Sequence, residues 1–145
     1  MPPGTGDAQL SVSQRLALSG AVIVSTPQDI ALIDARRGAQ MFVKVKVPVL
    51  GLIENMSHYQ CRACGHKEHI FGTGGVQQAA DDLGLEVLGQ VPLQLSVREQ
   101  ADLGTPVVLA DPQSPSARAY CEIAGRIWMQ LQSVVAPTGP KIVVE

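Results

Sequence analysis

Apolar residues in this chain fall into short continuous runs, separated by stretches where they recur every three or four positions. Residues 20–25 and 47–55 are such runs, rich in β-branched side chains and too short for helices, as expected of strands buried on both faces. Residues 85–91 form a third. Between the first two, Leu32, Ala35, Ala39 and Phe42 repeat at helical spacing. That helix has a start signal at Thr26-Pro27-Gln28-Asp29: a Thr cap, proline at the first helical position and an acid in the first turn. Val76, Ala79, Ala80 and Leu83 mark a second helix. A last helix, opening at Ser114-Pro115, is expected to bury Ala117, Tyr120, Cys121, Ala124, Ile127, Trp128 and Leu131. Shorter pieces are expected as helices at 8–15 and 97–102 and an extended segment at 106–109.

Strands alternating with helices mean βαβ units, so the fold class is α/β: a parallel sheet with flanking helices. Residues 1–132 read as one domain and 133–145 as a loosely held tail, with one late extended segment at 142–144. Three strands make a thin parallel sheet, and Met1-Pro2-Pro3-Gly4-Thr5-Gly6-Asp7 reads as the middle of a loop. An N-terminal half is therefore expected to be missing.

Composition narrows the function classes. With 145 residues, 46% hydrophobic and 17% charged, the chain is long enough and apolar enough to bury a core. Aromatics are 3%, so that core is built from Val, Leu, Ile and Ala. A net charge of −2 gives no electrostatic reason to expect nucleic acid. No apolar run approaches the roughly 18 residues of a membrane span, and no signal-peptide pattern opens these residues. Three cysteines with one close pair argue against a secreted disulfide framework and for a reducing compartment.

That close pair carries most of the chemistry. Cys61 and Cys64 lie in a polar loop directly after the second strand. A Cys-x-x-Cys pair can grip one soft metal ion or one edge of a metal cluster. A thioredoxin-type redox pair would sit at a helix N-terminus, whereas Gly65, His66 and Lys67 follow here. Adding His66 and His69 gives two sulfurs and two nitrogens, the composition of a closed zinc site, although within nine residues. Cys121 lies on the apolar stripe of the last helix and reads as a small buried hydrophobe. Asn55 ends a buried strand, where open parallel sheets present side chains to ligands; it equally suits a plain strand stop. Pro92 reads most simply as a strand terminator. Gly72-Thr73-Gly74-Gly75 precedes a helix but lacks a full phosphate-binding fingerprint. Nowhere is there a G-x-x-x-x-G-K-[ST] loop, so no lysine is placed to hold a β/γ-phosphate.

Several segments together resemble the Mrp/ApbC/NUBPL family of MinD-like P-loop ATPases that carry iron–sulfur clusters. They are Pro2-Pro3-Gly4-Thr5-Gly6-Asp7, Ser25-Thr26-Pro27-Gln28-Asp29, the run from Val49 through Glu54-Asn55-Met56-Ser57, Cys61-x-x-Cys64, Ile70-Phe71-Gly72, Leu88-Gly89-Gln90-Val91-Pro92-Leu93 and Arg98-Glu99. The motifs occur in family order from Met1 to about Leu131. The resemblance implies a partial P-loop NTPase fold and a [4Fe–4S] cluster held by Cys61 and Cys64 from each of two chains. It further implies a homodimer joined through that loop and apo-protein clients that receive the cluster. By the same resemblance Asn55 contacts an adenine base, the backbone at Pro92 lines its pocket, and Gly4 belongs to a loop near the γ-phosphate. The family's phosphate loop would lie upstream of Met1, so ATP and Mg²⁺ are expected only if that part is present. Relatives work in the bacterial cytoplasm and in mitochondria. Two other readings stay open: a small zinc-binding interaction module using Cys61, Cys64, His66 and His69, and an autonomous nucleotide hydrolase.

Overall fold

The computed structural model describes residues 7–61 and 63–133. Four strands and six helices are resolved in that span: α1 (Asp7–Arg15), β1 (Ala21–Ser25), α2 (Asp29–Lys44), β2 (Val49–Gln60), β3 (Lys67–Glu68), α3 (Gly75–Leu83), β4 (Val87–Leu93), α4 (Leu95–Asp102), α5 (Val107–Ala110) and α6 (Pro115–Ser133). β2 is the hub of the sheet. It pairs in parallel with β1 and β4, and its far end pairs antiparallel with β3. The α/β class and the parallel core follow the apolar runs. The tail at 134–145 lies outside the described residues.

Alternation along β1 and β2 sends side chains to two helical layers. Ile23 and its register partner Leu52 point to one face, where they meet Leu32, Ala35, Ala39 and Phe42 of α2 and Val76, Ala79 and Ala80 of α3. Val22 and Ile53 point to the other, where Ile123 and Ile127 of α6 close over Leu88 and Val91. α6 comes close to β4 because residue 89 is glycine. A Cβ there would stand 2.5 Å from Ile123 Cγ1, so any side chain would push the helix off the sheet.

Three local expectations are corrected. α2 begins at Asp29 with Gln28 as its cap residue, and Thr26 donates its hydroxyl hydrogen to Gln28 Oε1 at 2.9 Å instead of capping the helix. Pro27 therefore stays in the turn before the helix, its carbonyl packed where a Cβ on Gly75 would stand. Residues 107–110 are helical, not extended, because the Pro106 carbonyl collects the N–H groups of Leu109 and Ala110. In α6 only Ser116, Ala117 and Ile123 are buried, and Trp128 is 64% exposed. Ile123 and Ile127 pack against the sheet, and the row through Tyr120, Ala124 and Trp128 lies on a different, exposed face of the helix.

Leu52 is fully buried between the two layers on the central strand. Leu52→Ala should lower unfolding stability by about 2–5 kcal/mol, read as a fall in the urea midpoint. An unchanged midpoint would place the core elsewhere.

Candidate functional site

β2 runs five residues past Asn55, which corrects the expectation that Asn55 ends the strand. Asn55 is in register with Val91 and Tyr59 with Leu93, so β2 holds extra residues between them. They form a bulge containing Met56, at φ 56°, and the fully buried Ser57. A left-handed conformation at a methionine is held only where its surroundings fix it. Two bonds do so. Met56 N–H donates to Asn55 Oδ1 at 3.0 Å, and Ser57 Oγ donates to the Val91 carbonyl of β4 at 3.2 Å.

Past the bulge β2 becomes one arm of a hairpin. Tyr59 and Gln60 pair with Glu68 and Lys67, and Cys61 N–H donates to the His66 carbonyl at 2.8 Å. Gly65, at φ 72°, turns the chain and donates its N–H to the Cys61 carbonyl at 2.9 Å. Only glycine takes that conformation without a steric penalty. Cys61 is half-buried at the start of this tip and Cys64 is exposed within it; both are free thiols. The Cys61 thiol is held below its usual pKa, first by the Cys64 backbone N–H, then by that of Ala63, and then by the Cys64 side chain. Such donors favour the thiolate, the form that binds metal.

Two histidines stand at the foot of the hairpin, their ring centroids 5.9 Å apart. His58 Nδ1 lies 3.0 Å from Ser57 Oγ. Since the single hydroxyl hydrogen of Ser57 goes to Val91, His58 is the donor in that bond. Its pKa is lowered, by burial first and then by the charges of Lys67 and His69, against an opposing pull from Glu54. His69 Nδ1 lies 2.9 Å from the Ser57 carbonyl oxygen. Glu54 is buried on β2, where Oε2 accepts a bond from Gln90 at 3.0 Å.

Of the residues expected to act, Cys61 and Cys64 share the hairpin tip. Asn55 and Pro92 lie on two neighbouring parallel strands, with Pro92 buried. Contrary to the terminator reading, Pro92 falls inside β4, which runs on to Leu93 and pairs there with Tyr59. With its Oδ1 engaged by Met56, Asn55 has amide N–H groups left to donate to a ligand. From Asn55 to Cys61 is six residues, at most about 20 Å of extended chain. Gly4 lies outside the described residues. His66 and His69 do not complete a zinc site with the cysteines: among the described residues no group of three or more His, Cys, Asp or Glu is placed to hold a metal ion. Cys121 is exposed, contrary to the buried reading, and with Val97, Ala101, Val107 and Tyr120 it lines a groove of about 490 Å³ between α4, α5 and α6. Among the described residues no helix is long and apolar enough to cross a membrane. Periodicity missed Ser57 and the hairpin, since a serine in an apolar run and a two-residue strand leave almost no pattern.

Comparison with known proteins bears on this arrangement. The family described as ParA: NUBPL iron-transfer P-loop NTPase matches residues 1–128. A mouse protein named iron-sulfur cluster transfer protein NUBPL is 61% identical over 133 residues, covering 92% of this chain and 42% of its own length. A Salmonella typhimurium iron-sulfur cluster carrier protein is 55% identical over 131 residues, 90% of this chain and 36% of that relative. The chain thus spans well under half the length of these curated relatives. A nucleotide-binding protein from Archaeoglobus fulgidus, solved in complex with ADP, superposes with a TM-score of 0.68 at 33% identity, over 83% of this chain and 48% of that one. The fold is accordingly shared with that structure over most of this chain, and the chain belongs to the NUBPL iron-transfer family of ParA-type P-loop NTPases.

Proposed function

We propose that this chain is the cluster-handling portion of an iron–sulfur carrier. Its cargo is a [4Fe–4S] cluster held by Cys61 and Cys64 of two copies and passed to apo-proteins. The observation that carries this reading is a pair of free thiols on a projecting hairpin tip, one of them predisposed to ionise. A cubane takes four thiolates, and one chain offers two at this tip, so a two-fold contact between tips supplies the set. Exposure of Cys64 suits a cargo that must leave again, since an incoming client thiol can reach the cluster from solvent. The names of the relatives agree with this reading and give none to the zinc module.

Nucleotide binding is the family's second trait, and Asn55 and Pro92 lie toward the C-terminal side of the parallel sheet, the side on which α/β sheets receive ligands. We place an adenine base there. Hydrolysis would need a phosphate-gripping lysine loop that is not among these 145 residues. By the same reading the carrier works in the mitochondrial matrix of a eukaryote or in the cytoplasm of a bacterium.

Anaerobic reconstitution with iron and sulfide should yield brown protein with about four of each per dimer, the content of one cubane. Cys61→Ala and Cys64→Ala should each abolish that content, and unchanged content would refute the assignment. The ionisation claim has its own test in the metal-free Cys64→Ser/Cys121→Ser variant, which keeps the backbone donors to Cys61. A depressed thiol pKa means more thiolate at a given pH, so iodoacetamide should modify Cys61 with a midpoint below the ~8.5 of a free cysteine. A midpoint at or above that value would contradict it.

A further inference from the structure

The hairpin that carries the cysteines is short for the task just assigned to it. Its ladder consists of two residue pairs, Tyr59 with Glu68 and Gln60 with Lys67, and both β3 residues are exposed. An isolated two-stranded ribbon of this size is marginal in water. β4 ends at Leu93, opposite Tyr59, so the tip beyond that point has no third strand beside it on that edge.

One side chain makes good the shortage. Continuing the register of the ladder places His58 opposite His69, and next Ser57 opposite Ile70. The Ser57 carbonyl is where a further backbone rung would land, and His69 Nδ1 occupies it at 2.9 Å. A carbonyl oxygen only accepts, so His69 holds its proton on Nδ1 and donates. The same Ser57 is anchored below by its hydroxyl, which donates to the Val91 carbonyl and accepts from His58. Ser57 is wholly buried, so the imidazole ties the returning arm of the hairpin to a fixed point in the sheet.

We propose that His69 is a positioning residue for the cluster site: its Nδ1–H bond to the Ser57 carbonyl replaces the missing rung of the ribbon and fixes the Cys61–Cys64 tip on the sheet. This rests on the carrier reading for its consequence, though not for the bond itself. His69 is then neither a metal ligand nor a bystander. Removing it loosens the tip and leaves the α/β core, whose buried residues are on other elements, folded.

The test uses the full chain with His69→Ala and His69→Asn, because an asparagine carboxamide sets an N–H near the position of Nδ1–H but has no imidazole nitrogen to bind metal. In the metal-free protein, hydrogen exchange at the Cys61 amide, which donates to the His66 carbonyl, should quicken in His69→Ala and return to the parental rate in His69→Asn. Amides of β1 should not change. With the cluster loaded, loss of iron to a ferrous chelator should be on the order of five-fold faster in His69→Ala, the scale of one net hydrogen bond, with His69→Asn restoring retention. Unchanged Cys61 exchange in His69→Ala overturns the proposal whatever the cluster does. Equal loss of iron in both variants overturns it in favour of ligation. Failure of the parental chain to load a cluster refutes the carrier reading alone, and the exchange arm still decides the bond.

Discussion

Everything in this chain hangs on one twelve-residue strand that changes character halfway along. From Val49 to Glu54, β2 is the buried centre of a parallel sheet, with Leu52 fully enclosed and helices on both faces. From Tyr59 to Gln60 it is the arm of a largely exposed ribbon. The bulge between the two halves makes the change possible, since it takes up residues that β4 cannot match and lets the strand leave the sheet. Ser57 sits in that bulge, buried despite its hydroxyl because every polar atom of its side chain and its carbonyl has a partner.

Under the proposed function, the consequence is a division of labour along one strand. Asn55 stands on the sheet side of the bulge, in register with Val91 of β4; Cys61 stands on the ribbon side, half-buried at the start of the hairpin tip. A rigid strand with one strained residue, Met56, separates the two. The sulfurs differ as well. Cys61 is half-buried with backbone donors around its sulfur, while Cys64 is exposed. On the proposed carrier reading such inequality suits a cargo that must be both held and released.

Much of this was readable in advance, and the misreadings have physical causes. The apolar runs located β1, the buried half of β2 and β4 because both faces of a parallel strand are covered and the pattern is unbroken. The stripe Val76, Ala79 and Ala80 located α3 for the same kind of reason. Cys-x-x-Cys marked the site by chemistry alone. The last helix misled, since its apolar residues span more than one face and the face packed on the sheet is that of Ile123 and Ile127; Cys121 and Trp128 are exposed. His69 misled too. From sequence it reads as a solvated loop residue, or as a ligand in the zinc alternative, and only the register of a hairpin too short to predict reveals that it faces a backbone carbonyl.

The central claim is that two hairpin tips from separate chains share one cubane. Native mass spectrometry of the anaerobically loaded protein tests it most directly, since mass reports chain number and cluster content together. The account predicts that the cluster is found on dimers alone, one [4Fe–4S] unit to two chains, with metal-free protein where no dimer forms. A cluster or a complete complement of iron and sulfide on the single chain would contradict it.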